Sequence, residues 1–130
     1  MKFRVLENDV KEVGPVVAKR IVATRMIHLH DGTVIKPGTF GGYVQSEANL
    51  SQDGACWIMD NAVVLGKARV VGNAIVRDTA MLCQRAQAMG DVVVSGDTHM
   101  GDCSKASGCV VVHSQMLTGI DHLHKDKEAA

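Results

Sequence analysis

Large rings are nearly missing from this chain. Only 3% of its 130 residues are aromatic. A core without rings has to be built from small and β-branched side chains, and a hydrophobic content of 46% supplies them. Net charge is missing too: 14 basic and 14 acidic residues cancel. No long-range field favours nucleic acid, and no acidic excess mimics it. No apolar run approaches the roughly 18 residues of a membrane-spanning helix, so no membrane partner is expected. None of Cys56, Cys83, Cys103 and Cys109 forms a CxxC pair, which argues against a zinc site. Phosphate-loop, GxSxG and HExxH motifs are absent. The opening "MKFRVLENDVKEVG" has no apolar h-region and reads as no signal peptide. Reduced thiols and a cytoplasmic location are the matching expectation.

What the chain does have is a period of six. Stepping from Ile58 gives Val64, Val70, Val76, Leu82, Ala88, Val94, Met100, Ala106, Val112 and Thr118, all apolar but the last. Two residues before each lies a second column of mostly small residues: Cys56, Ala62, Ala68, Ala74, Ala80, Ala86, Val92, Thr98, Ser104, Val110 and Met116. Two inward residues flanking an outward one is strand alternation, interrupted every sixth residue. The interruptions fall on Gly, Asp, Gln and Ser, mostly residues that favour tight turns.

One such unit cannot bury its inner face, but three closing a triangle can. Gly54, Gly72, Gly90 and Gly108 recur every 18 residues, so one corner is always glycine. The period of 18 on top of six predicts a three-sided coil with like residues stacked about 4.8 Å apart. The all-β solenoid is expected over residues 44–119. Residues 1–43 lack the period and read as an N-terminal β cap over the open, unpaired end of the coil. In it "KFRVLEN" and "VVAKRIVAT" are expected strands, broken at Gly14 and Pro15, and "HDGTVIKPG" a hairpin around Asp31 and Gly32. Residues 120–130 read as a polar C-terminal tail.

These hexads resemble the hexapeptide-repeat, single-stranded left-handed β-helix. A narrower resemblance covers "FGGYVQSEANLSQDGACWIMDNAVVLGKARVVGNA", similar to a family common in phages and prophages. Gly41, Gly42, Tyr43, Ser46, Glu47, Asn49, Leu50, Ser51, Gly54, Cys56 and Trp57 carry it. That likeness implies the left-handed fold and a phage origin. It leads to the expectation of a non-enzymatic binding protein acting in the host bacterial cell on an unidentified host or phage protein, such as one of host defence. Many hexapeptide β-helices are acyltransferases with a histidine at a subunit interface, so that resemblance implies the alternative; a virion component is the third.

His99 and His113 both fall at outward positions. No loop interrupts the hexads to build a deep pocket, so no catalytic residue and no cofactor is expected. The HxH pairs His28/His30 and His122/His124 lack further ligands and read as surface residues; no metal is expected. The outward columns carry the functional expectation. Trp57, Ile75, Val93 and Val111 stack on one side; Val63, Met81, His99 and Leu117 stack on the next, beside Leu65 and Cys83. The third side is polar, with Arg69, Gln87 and Lys105. Bare apolar columns are unusual on a monomer. They are expected to form the interface of a homodimer or homotrimer or of a partner complex, unless the N-terminal segment folds back over them.

Overall fold

The computed structural model describes residues 2–101, 105–108, 111–113, 116–117 and 122–125; from residue 107 onward it describes backbone alone. Two long strands open the chain, β1 (Phe3–Val13) and β2 (Val16–Ala23), paired antiparallel. A small hairpin follows, β3 (Ile27–His28) with β4 (Val34–Ile35), and then β5 (Phe40–Val44). From here the chain winds as the expected three-sided left-handed β-helix.

Each side is a parallel ladder of very short strands. The first stacks β5, β7 (Val63–Val64), β10 (Met81–Leu82), β13 (His99–Met100) and β16 (Met116–Leu117). The second stacks β8 (Arg69–Val70), β11 (Gln87–Ala88), β14 (Lys105–Gly108) and β17 (His122–Lys125). The third stacks β6 (Trp57–Ile58), β9 (Ile75–Val76), β12 (Val93–Ser95) and β15 (Val111–His113). Strands of two residues suffice because each coil donates to the next along its whole rim, as in Trp57 N–H to Ala74 O at 3.0 Å and Leu65 N–H to Leu82 O at 2.8 Å.

The core follows the sequence columns. Ile58, Val76 and Val94 stack fully buried, as do Val64, Leu82 and Met100, and Val70, Ala88 and Ala106. The small column fills the space between sides, with Cys56, Ala62, Ala68, Ala74, Ala80, Ala86 and Val92 all buried. Burying one Val-sized side chain contributes roughly 1.5–3 kcal/mol, so a few coils suffice for a stable rod. All three kinds of corner turn through left-handed backbone. Gly54, Gly72 and Gly90 have φ of 69°, 67° and 69°; Asp60 and Asp78 reach 59° and 63°, and Gln84 59°.

The cap is part of the same sheet as the first side. β2 pairs with β5, and β5 pairs in parallel with β7, so the hairpin extends the ladder beyond the first coil. Gly41 and Gly42 close the end of the coil. A Cβ on Gly41 would lie 2.6 Å from the Ile58 carbonyl oxygen, and one on Gly42 2.6 Å from that of Ala62. A short 3₁₀ turn, Glu47–Asn49, completes the closure. The buried Asn49 accepts from the Gln45 and Ser46 amides and donates to the Gly66 and Ala68 carbonyls. This explains the Ser-Glu-x-Asn stretch as a staple that ties the start of the coil to its next turn.

Three details differ from the sequence expectation. Met116 pairs with His99 and Leu117 with Met100, although Val111 still pairs with Val93. One residue fewer therefore separates β15 from β16 than β12 from β13, and Leu117 takes an inner register position while Met116 takes the outer one. At Gly108 the strand β14 runs through the expected corner, because that residue pairs with Lys125. The same pairing carries the ladder to Lys125, past the boundary expected at residue 119.

Candidate functional site

The apolar columns are not bare. Trp57 and Ile75 are fully buried, in one cluster with Ile27, Leu29 and Ile35 of the β3–β4 segment; Val93 is half-buried against it. Asp31 at the hairpin tip has Arg77 among its electrostatic neighbours. The Thr33 amide donates to Asp31 Oδ1 at 2.9 Å and holds that carboxyl below its usual range. On the first side, Val63 and Leu65 are buried with Ala18 and Tyr43, against Val13 and Val16. Above them the Arg20 guanidinium lies 4.6 Å from the centre of the Tyr43 ring. The expected interface at Trp57, Ile75, Val63 and Leu65 is thus covered by the chain's own N-terminal segment. The physical reason is that an apolar hairpin tethered to the first coil meets the columns at very high effective concentration. Met81 stays half-exposed; the side chains of Val111 and Leu117 lie outside the described residues, as do those of His113, His122 and His124.

Where the cap stops, the first side opens on a pair with chemistry. Cys83 follows β10 just before the corner at Gln84, held by its amide to the Met100 carbonyl at 2.9 Å; the Ala86 amide donates back to the Cys83 carbonyl at 3.2 Å and closes the turn. One coil further on, His99 starts β13 opposite Met81. This diagonal brings His99 Nε2 to 3.4 Å from Cys83 Sγ, with both residues half-buried. Gly101 follows in the position stacked on Cys83. An added Cβ there would sit 3.6 Å from Cys83 Sγ and 3.9 Å from His99 Nε2. A side chain there would make ordinary van der Waals contact with both atoms, so glycine keeps that space beside them empty. Leu65, one coil back, and the end of the β1–β2 hairpin form an apolar wall.

An imidazole nitrogen beside a thiol can remove a proton from an attacking group or polarise the sulfur. The sequence placed both residues on this face but gave no sign of their contact. Elsewhere a shallow cavity of about 370 Å³ is lined by Ser46, Asn49, Lys67 and Arg69, but Asn49 already spends its amide on backbone groups of the coil. Among the described residues no group of three His, Cys, Asp or Glu side chains is arranged to hold a metal ion. Nor is any helix among them long and apolar enough to cross a membrane.

No known protein-family profile matches the chain. It is similar to the uncharacterized acetyltransferase YdcK of Escherichia coli K12, with 38% identity over 56 residues. The match covers 42% of this chain and only 17% of that protein. The likeness fits a hexapeptide-repeat β-helix.

Proposed function

We propose that this β-helix supports acyl transfer, with His99 as the general base. The ring nitrogen turned away from Cys83, His99 Nδ1, takes the proton from an acceptor amine or hydroxyl as it attacks the acyl carbonyl of a thioester donor and passes it to the departing thiolate, while the contact of Nε2 with Cys83 Sγ orients the ring. The observation that carries this reading is the 3.4 Å approach of the half-buried Cys83 and His99 beside Gly101. The partial likeness to an acetyltransferase supports it. One flat face gives a donor only one wall. A second copy of the chain, in a dimer or trimer, would supply the other across Met81 and His99. The apolar columns that added to the binding-protein reading are largely covered by the cap, so they no longer support it.

The test uses acetyl-coenzyme A as donor probe and a panel of amino sugars and alcohols as acceptors, following release of the free thiol. The wild type is expected to transfer. His99→Ala should lose that transfer at least tenfold while keeping the β circular-dichroism spectrum. No transfer by the wild type, or transfer untouched by His99→Ala, would overturn the proposal.

A further inference from the structure

The amine of Lys2 is buried inside the cap, although lysine is almost never fully buried unless paired. Its Nζ donates to the Cys56 carbonyl at 2.8 Å and contacts the Cys56 sulfur at 3.2 Å; the Asp53 and Gly54 carbonyls lie at 3.4 Å. Gln52 fixes the strand that carries Lys2, its Oε1 accepting the Lys2 amide at 2.8 Å and its Nε2 donating to the Phe3 carbonyl at 3.3 Å. No carboxylate is among the hydrogen-bond acceptors described around this amine, only carbonyls and a thiol. Burial lowers the lysine pKa, which favours the neutral, nucleophilic amine. The thiol is fully buried, so bulky thiols such as glutathione are shut out. Small oxidants still enter when the first strand opens locally. The reactive nitrogen nearest to an oxidised Cys56 is then Lys2 Nζ.

We propose that Lys2 and Cys56 form an oxidant-driven covalent latch, a nitrogen–oxygen–sulfur bridge that locks the cap onto the first coil. Hydrogen peroxide is the oxidant. The neutral amine loses one hydrogen and the thiol loses its own. One peroxide oxygen stays between nitrogen and sulfur, and two peroxides per bridge leave as three waters. Sulfur and nitrogen each give up two electrons, and the two peroxides accept the four. The N–H and S–H bonds break, and the N–O and O–S bonds form. The bridge joins residues 2 and 56 and so limits the unfolded chain as a disulfide would. It is independent of acyl transfer, since neither residue belongs to the Cys83–His99 site.

The experiment is peroxide treatment of the full wild-type chain, followed by intact mass and peptide mapping. The expected product gains one oxygen and loses two hydrogens. Its mapping joins the Lys2 peptide to the Cys56 peptide, and dithiothreitol restores both. Oxidised protein should also show a raised melting temperature, an effect absent in Lys2→Arg. Two outcomes overturn the latch. One is Cys56 still open to alkylation after unfolding once Cys83 has been oxidised. The other is Cys56 carried to sulfinic acid while Lys2 keeps a free amine. Both are read on the wild type, so they stand even if the variant fails to fold.

Discussion

Gly42 sits so close to Ala62 that a methyl group on it would lie 2.6 Å from the Ala62 carbonyl oxygen. That contact is where the cap seats on the coil, and the same methyl would strike the Ile58 side chain. Gly42→Ala is therefore expected to destabilise the protein by about 1–3 kcal/mol through overpacking. Urea denaturation measures it. An unchanged midpoint would mean that the cap can shift without cost.

The glycine corners differ from one another in crowding, not in backbone angle. Gly54 and Gly66 have φ of 69° and 61°, so an alanine pays a similar left-handed strain at each. But a Cβ at Gly54 would lie 2.5 Å from the Gly72 carbonyl oxygen, against 3.2 Å from the Gln84 nitrogen at Gly66. Gly54→Ala should cost more than Gly66→Ala, by about 1 kcal/mol or more. Paired melting curves decide it, and equal losses would show that the corner relaxes.

The coil was legible because its signal is local: every hexad repeats a bulky and a small inward position, as at Ala74 and Val76 or Ala80 and Leu82. The cap's cover was not. Ile27, Leu29 and Ile35 meet Trp57 and Ile75 across more than a coil of sequence, and no periodicity marks non-local packing. The slip at Leu117 was hidden because Met116 and Leu117 are both apolar, so either register satisfies the pattern. The face holding Cys83 and His99 followed from the period. Their contact depends on side-chain direction, which the period does not encode. Asn49, Gln52 and Lys2 were missed as structural staples because each is polar, unrepeated and bonded to a distant segment.

Ile75 distinguishes a covered surface from a subunit interface. It is fully buried within one chain. Ile75→Asp places an unpaired charge there and is expected to destabilise the fold by at least about 3 kcal/mol. The single Trp57 is buried in the same cluster, so its emission reports the cover directly. The expected result is blue-shifted emission in the wild type and a red shift with a lowered melting temperature in the variant. A variant that merely dissociates, at unchanged monomer stability, would show that the hairpin leaves this column to another subunit.

Lys2 gives the protein a pH dependence of defined sign. Desolvation is the main cause that lowers its pKa from 10.5; Arg25 adds to the lowering, while Cys56 and Asp53 oppose it. In the interval between the lowered folded value and 10.5, the unfolded chain binds the proton and the folded chain does not. Stability therefore rises with pH across that interval. The contribution is fully present above the unfolded value and is lost as pH falls through the folded one. Lys2→Met keeps the length of the side chain and removes the titration, while Cys56 remains in both proteins. Urea midpoints of wild type and variant, measured from neutral to about pH 10.5, should show the wild type gaining on the variant as pH rises. A difference that stays constant with pH would mean that the amine keeps its proton inside the cap. It would then be held as a cation by the Cys56, Asp53 and Gly54 carbonyls.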